Sequence, residues 1–172
     1  MQAVAGGDLE AFNKLALRYK NPAWKTAYRF VGDVMEAEDL VQETFLKILE
    51  SAPRYRPTAA FRTYFYRVLI HLCIDRTRKK QPAVDIDEIP ESPAPSCDLI
   101  DDLIKKECKA RIQKALELLP AKQKAAIILR HYEDLSYTQI SQVLSITPKA
   151  VERLISRARA SLQTIFSLGK ST

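Results

Sequence analysis

Only four glycines occur in 172 residues, and no stretch of useful length alternates apolar with polar side chains. Both shortages exclude β-rich architectures, which depend on turn glycines and period-two patterning. The three cysteines, Cys73, Cys97 and Cys108, are odd in number and form no C-x-x-C pair, which excludes a disulfide framework. Cys73 and Cys108 fall at apolar helical positions and are expected to be small core residues. There are two histidines, and His71 near Cys73 lacks a second pair of ligands, so no metal and no cofactor is expected. Isolated Ser and Asp residues form no cluster of nucleophile and base, and no enzymatic activity is expected. The start, MQAVAGGDLEAF, has no apolar run, and no segment is long and apolar enough to span a membrane. A reducing cytoplasm without membrane insertion is the expected setting.

Leu, Ala, Lys, Glu, Gln and Arg are abundant, a mix that favours helix throughout. The net charge of +6 is unevenly spread. Residues 1–81 hold 14 basic and 9 acidic side chains, for a net of +5. Residues 82–104 hold 7 acidic side chains and no Lys or Arg, and residues 105–172 carry a net of +8. Two basic blocks flank an acidic, proline-bearing connector, which is expected to be extended and self-repelling. Basic blocks of this kind suit a polyanion such as nucleic acid. The expected fold is all-α, with two small helical domains over 1–81 and 103–172 joined by a flexible acidic linker over 82–102.

Local signals place the helices. Asp8 caps a first helix burying Leu9, Phe12, Leu15, Ala16 and Tyr19, which Asn21-Pro22 is expected to interrupt before a second through Trp24, Ala27, Tyr28 and Val31. Gly32 suits that helix end, and Asp33 with Glu36 forms a capping box for the next. That helix is strongly periodic at Ala37, Leu40, Val41, Thr44, Phe45, Ile48 and Leu49. Pro53 and Pro57 bound a loop, and a long helix runs from Phe61 to Lys80. Beyond the linker, a helix apolar at Leu103, Ile104, Cys108, Ile112, Ala115, Leu116 and Leu119 stops at Pro120. Another follows through Ala125, Ile128, Leu129 and Tyr132.

The segment Tyr137 to Arg159 carries the sharpest motif. Ser136 and Gln139 form a capping box, and Ile140, Val143 and Leu144 give a short helix one apolar face. Ser145 and Ile146 make the turn, Thr147 caps the second helix, and Pro148 takes its first position. That helix buries Val151 and Ile155 and presents Lys149, Arg153, Arg157 and Arg159. A short helix, a tight turn and a basic second helix is the arrangement that reads a DNA major groove. Glu152 near the reading end repels phosphate but can accept from a cytosine amino group.

Two further surfaces stand out. Asp39 and Glu43, four apart on a face with Glu36, Gln42 and Glu50, make a self-repelling acidic stripe in a basic domain, which suits either a basic protein partner or plain solvation with relief from Lys47. Between Arg54 and Lys80, Tyr55, Phe61, Tyr64, Phe65 and Tyr66 are interleaved with Arg54, Arg56, Arg62 and Arg67, and Arg76, Arg78, Lys79 and Lys80 follow. Single-stranded nucleic acid requires stacking rings beside cations, though Phe61, Tyr64 and Phe65 lie on the packing stripe and the same set also fits a core with a basic rim. Tyr55 and Tyr66 need not belong to the core.

The ordered set resembles the sigma-70 family of bacterial sigma factors, in its extracytoplasmic-function branch. GDLEAFNKLALRY is similar to that branch's first helix, AEDLVQETFLKI to its core-binding motif, and FRTYFYRVLIHLCIDRTRKK to its promoter-melting helix. LPAKQKAAIILRHYEDLSYTQISQVLSITPKAVERLISRARASL resembles its fourth domain. The resemblance implies that Asp39, Gln42, Glu43 and Phe45 grip the beta-prime clamp helices of core RNA polymerase. It assigns the melted minus-ten strand to Arg54, Phe61, Arg62, Tyr64, Arg67, His71, Arg76, Arg78, Lys79 and Lys80. It assigns the minus-thirty-five element to Ser136, Tyr137, Thr147, Lys149, Glu152, Arg153 and Arg157. The last domain would also meet the polymerase beta flap, the linker would thread near the RNA exit channel, and an anti-sigma factor is an expected partner. The sequence departs from the family at Tyr64, where tryptophan is frequent, at His71, where asparagine is frequent, and at the start of the recognition helix.

Other classes fit less well. A stand-alone helix-turn-helix regulator would bind duplex DNA unaided, and the acidic stripe and aromatic-basic surface would then lack a purpose. A recombinase needs a nucleophile or metal carboxylates that the chain does not cluster. A pure interaction module would rest on the linker alone.

Overall fold

The computed structural model describes residues 2–56, 59–80 and 101–168, with side chains at 2, 80, 101–107 and 168 outside the description. Residues 82–100 of the expected extended linker, the side chains of Leu103 and Ile104, Cys97 and Pro57 therefore lie outside the described residues, while Asp101 and Asp102 begin a helix. Among the described residues the fold is all-α, as expected. In chain order the helices are α1 (Gln2–Ala5), α2 (Leu9–Val31), α3 (Val34–Ser51), α4 (Phe61–Lys80), α5 (Asp101–Glu117), α6 (Ala121–His131), α7 (Tyr137–Leu144) and α8 (Pro148–Leu168), with a 3-10 turn at Ala52–Arg54.

Side-chain caps fix the starts of α2, α3, α7 and α8. The Asp8 carboxylate accepts from the Ala11 N–H at 2.9 Å, and Asp33 accepts from the Glu36 N–H at 2.8 Å. Gly32 closes α2 at φ 76°, with its N–H donating to the Tyr28 carbonyl at 2.8 Å. One boundary departs from expectation. Asn21-Pro22 does not split the first segment; α2 runs unbroken through Pro22. Proline removes the bond to the Arg18 carbonyl, at a cost of about 3 kcal/mol. Both halves of the helix pack onto one core, through Tyr19 before it and Ala23, Thr26, Ala27 and Phe30 after it. Burial of Phe30 alone offsets about 1.5–3 kcal/mol of that cost.

Helices α2, α3 and α4 form the first bundle, around Phe30, Leu40, Ile48, Phe65, Leu69 and Ile70. Helices α6, α7 and α8 form the second, around Ile128, Leu129, Leu135, Ile140, Val143 and Ile155. The bundles are packed together: α7 lies on α4, while α5 and α6 lie on α2, and one continuous cluster of buried apolar side chains runs through both.

Three expected burial patterns fail, and one position left open is settled. Leu9, in the first turn of α2, is 68% exposed, whereas Val4 of α1 is buried. Ile112 and Cys108 are exposed on the outer side of α5, while Ala115 and Leu116 face inward, so Cys108 is not a core residue. Leu49 lies at the edge of the α3 stripe and is 37% exposed. Tyr66, which the packing stripe left open, is among the largest fully buried side chains. Cys73 is in the core as expected, and burial pushes its thiol up to about 12.

Candidate nucleic-acid interface

The helix-turn-helix is built as its sequence implies. The Ser136 hydroxyl accepts from the Gln139 N–H at 3.2 Å and the Gln139 side chain accepts from the Ser136 N–H at 2.8 Å, completing the capping box. Ser145 takes the left-handed conformation, φ 54° and ψ 46°, at the end of α7. Its N–H and that of Ile146 both donate to the Ser141 carbonyl. The Thr147 hydroxyl accepts from the Ala150 N–H at 3.2 Å, and Pro148 opens α8. Val151, Ile155 and Ala158 are buried, so Thr147, Lys149, Glu152, Arg153 and Arg157 stand in solvent on one side of α8. Ser136 is exposed, whereas Tyr137 is half-buried with the Arg130 guanidinium 5.5 Å from its ring centre. An exposed, mostly cationic helix face of this width fits phosphate and base edges in a major groove.

In the first bundle, α4 divides its residues by face. Phe65, Tyr66, Leu69, Ile70 and Cys73 are buried, and Arg67, His71, Arg78 and Lys79 are exposed. His71 Nδ1 lies 2.7 Å from the Arg67 carbonyl. Arg54 and Arg56 are exposed ahead of the helix, and Tyr55, Phe61 and Tyr64 form a ring cluster with centroids 5.0 to 6.5 Å apart. Tyr64 and Ser51 share a hydroxyl hydrogen bond of 2.6 Å. Burial followed by the neighbouring Tyr64 raises the Tyr55 phenol above its usual value. The exposed cations and ring cluster together match the stacking-and-phosphate chemistry of a single strand.

Helix α3 carries the acidic stripe. Asp39, Gln42 and Glu50 are exposed, and Glu43 lies 3.7 Å from both Lys47 and Arg76. The flanking cations relieve the expected repulsion at Glu43, and Arg76 is thereby tied to α3. Phe45 lies off the stripe, its ring 6.1 Å from Phe12 and 5.6 Å from Phe65. Leu46, 59% exposed, sits within the stripe, four positions from Gln42 and from Glu50. Sequence reading passed over it, although an apolar residue three or four positions from Gln42, Glu43 and Glu50 is a helix-face signal.

Sequence reading also missed Glu133. It is 6% exposed, and its carboxylate accepts from the Thr26 hydroxyl at 2.6 Å and from the Tyr66 hydroxyl. The Arg62 guanidinium lies 3.6 Å from that carboxylate and donates to the Glu133 carbonyl. Desolvation, then the bond to Glu133, holds the Tyr66 phenol far above its usual value. Lys124, 4% exposed, donates to the Phe30 carbonyl at 3.2 Å near the end of α2, and desolvation lowers its amine. Nothing in the sequence pattern separates Glu133 from the loop acid Asp134 beside it.

Among the described residues no helix is long and apolar enough to cross a membrane. Family models match twice: Sigma-70 region 2 over residues 15–82, and Sigma-70, region 4 over residues 109–162, together well over half of the chain. The ECF RNA polymerase sigma factor SigW of Bacillus subtilis is 29% identical over 177 residues, which cover 95% of this chain and 92% of that protein. The ECF RNA polymerase sigma factor SigE of Mycolicibacterium smegmatis is 30% identical over 162 residues, covering 90% of this chain and 61% of the relative. The fold is that of CnrH, solved in complex with the cytosolic domain of CnrY, with a TM-score of 0.73 at 23% identity over 95% of this chain and 92% of that one. It is also similar to the sigma factor RpoE of Bartonella quintana, solved with the anti-sigma factor NepR, with a TM-score of 0.68 at 24% identity over 92% and 98% of the two chains. With both regions matched in order on a capped helix-turn-helix and an aromatic-basic helix, the chain belongs to the sigma-70 family, in its extracytoplasmic-function branch, the promoter-specific initiation factors of RNA polymerase.

Proposed function

We propose a division of labour among three surfaces. Asp39, Gln42 and Glu43 on α3, with Leu46 between them and Phe45 behind, grip the basic clamp helices of the polymerase beta-prime subunit. Arg54, Phe61, Arg62, Tyr64, Arg67, His71, Arg76, Arg78, Lys79 and Lys80 capture the minus-ten element as a melted strand, with an extruded base held near the loop before Phe61. Ser136, Tyr137, Thr147, Lys149, Glu152, Arg153 and Arg157 read or anchor the minus-thirty-five element. The functional units are 1–81 and 103–172, with 82–102 as the connector, and the second unit also contacts the beta flap. The protein acts in the cytoplasm and carries no catalytic group of its own. Its expected inhibitor is an anti-sigma factor, as in the RpoE–NepR complex; failure of any such protein to co-purify from the native host would count against that partner.

The observation that carries the reading is the exposed α3 stripe, an acidic face with an apolar residue in its middle within the basic first block of the chain. A stand-alone regulator has no use for it. The test is transcription from a panel of promoter fragments by purified core polymerase, with and without the chain. Promoter-specific transcripts are expected, and the double change Asp39→Ala, Glu43→Ala should reduce them at least about tenfold, the effect of about 1.4 kcal/mol lost from the grip. Absence of transcripts and of core binding, with tight binding to duplex DNA alone, would return the chain to the stand-alone class.

A further inference from the structure

One acidic side chain stands on the cationic face of the second bundle. Glu152 is the sole acid among the 21 residues of α8 and is exposed, with Lys149 three positions before it and Arg153 beside it. The fold makes no use of its charge. Thr147 caps the helix by accepting from the Ala150 N–H. Glu152 lies beyond the first turn, where the attraction of a helix N-terminus for acids has died away. Val151 before it and Ile155 after it take the core contacts. Among the described residues Glu152 enters no ion pair and no hydrogen bond, despite the cations around it.

On a surface that meets a polyanion, such a residue is unfavourable. Phosphate attraction supplies a large share of the affinity for duplex DNA, and a carboxylate on the approaching face lowers it for every sequence. What offsets this lies in what a carboxylate accepts. It offers acceptors and no donor, so in a major groove it pairs only with an exocyclic amino group, N4 of cytosine or N6 of adenine. The adenine amino group lies between two acceptors, its own N7 and the O4 of thymine, and both repel a carboxylate. The cytosine amino group has one acceptor beside it, guanine O6, and a carbon on its other side. Lys149, Arg153 and Arg157 carry donors only and favour guanine O6 and N7. Glu152 is therefore the one charged side chain of this face that selects for a donor and against an acceptor. We propose that Glu152 is a specificity residue. It accepts from the N4 amino group of one cytosine in the minus-thirty-five element and disfavours the other three bases there, while lowering the general affinity for DNA. The inference rests on the reading of α8 as the helix that meets that element.

The experiment measures promoter binding by core polymerase loaded with the full-length chain. The probes are duplexes from a promoter that the chain transcribes, with each pair of the minus-thirty-five element changed in turn to every other pair. Wild type is compared with Glu152→Ala, Glu152→Gln and Arg153→Ala. In wild type one position is expected to prefer cytosine on the order of tenfold over any other base. Glu152→Ala should erase the preference at that position alone, and should bind the mismatched duplexes more tightly than wild type does. Glu152→Gln should move the preference to adenine, since an amide pairs with adenine N6 and N7 together. A wild type without any cytosine-selective position, or a preference that survives both changes at Glu152, would overturn the inference. So would tighter binding of Glu152→Ala to all duplexes by one common factor, the signature of repulsion alone. Arg153→Ala keeps two failures apart. If it alters discrimination within the element and the changes at Glu152 do not, α8 reads the element and only the role of Glu152 falls. If neither residue alters discrimination, the reading of α8 falls with it.

Discussion

The two basic helices of this sigma factor present themselves in opposite ways. On α8 the side facing away from Val151, Ile155 and Ala158 is exposed over its full length, with Lys149, Arg153 and Arg157 in solvent. On α4 Arg78 and Lys79 near the end are exposed, but Arg76 is tied to Glu43 and the first turns lie under α7, with Arg62 bound to Glu133 and Tyr66 fully buried. Similar composition thus gives one surface ready to meet a duplex and one whose cations are partly spent inside the molecule. A count of Lys and Arg cannot separate these cases; what separates them is whether another element supplies an acid at the right place.

The comparison is most sharply tested on the open side. The triple change Lys149→Ala, Arg153→Ala, Arg157→Ala removes exposed cations that support nothing within the fold. Stability in urea should stay within about 0.5 kcal/mol of wild type. Promoter binding by the polymerase-bound chain should fall by roughly two orders of magnitude or more, since each side chain that meets a base edge is worth about 1–3 kcal/mol. The slope of log affinity against log salt should shrink by about 0.9 for every phosphate neutralised in wild type and not in the variant. A large loss of stability, or an unchanged salt slope, would mean that α8 is not the open surface described.

The covered side should answer in the opposite sense, with stability moving. Tyr66→Phe deletes a donor to a buried carboxylate and should cost about 1–3 kcal/mol. It also carries a pH signature. The folded phenol is raised above its ordinary value by burial and by Glu133, so it keeps its proton at a pH where the unfolded phenol, near about 10, has lost it. The folded state then binds more protons, and stability falls as pH climbs through about 10. Wild type should lose this stability in alkaline urea titrations, and Tyr66→Phe should be flatter over the same range. Parallel curves would show that Tyr66 is less enclosed than its 1% exposure indicates.

Much of the fold was legible in the sequence because it is written in local chemistry. Asp8, Asp33 and Ser136 cap their helices through bonds to residues three positions on, and Gly32 ends α2 by a conformation glycine adopts freely. Such signals depend on neighbours in the chain. What was not legible depends on partners far along it. Pro22 reads as a breaker, yet the helix survives because tertiary packing on both sides outweighs one lost hydrogen bond. Tyr66 stays open in the sequence because the carboxylate that takes its hydroxyl, Glu133, lies 67 positions away. For the candidate site the same rule holds: the α8 face followed from periodicity, Leu46 within the α3 stripe was legible by its spacing but passed over, and Glu133 beneath α4 emerged only in three dimensions.

The smallest expected effect separates local from distant control at a single residue. Ser145 and Asp134 are the two non-glycine residues with positive φ among the described residues, at 54° and 49°. A left-handed L-residue is strained by about 1–2 kcal/mol, and a glycine there removes the strain but loses about 0.5–1 kcal/mol through the freer unfolded chain. Ser145→Gly should therefore stabilise the protein by under about 1 kcal/mol, a rise in Tm of no more than about 3 °C for a chain of this size, with promoter binding unchanged. Asp134→Gly should gain less, because aspartate tolerates this conformation better than most residues and because extra freedom in the Leu129–Leu135 turn loosens the presentation of Glu133. Calorimetry of the two variants side by side checks the order. Equal gains would mean that Asp134 only shapes a turn, whereas a net loss at Asp134 with a gain at Ser145 would show that the rigidity of that turn is part of what holds the two bundles together.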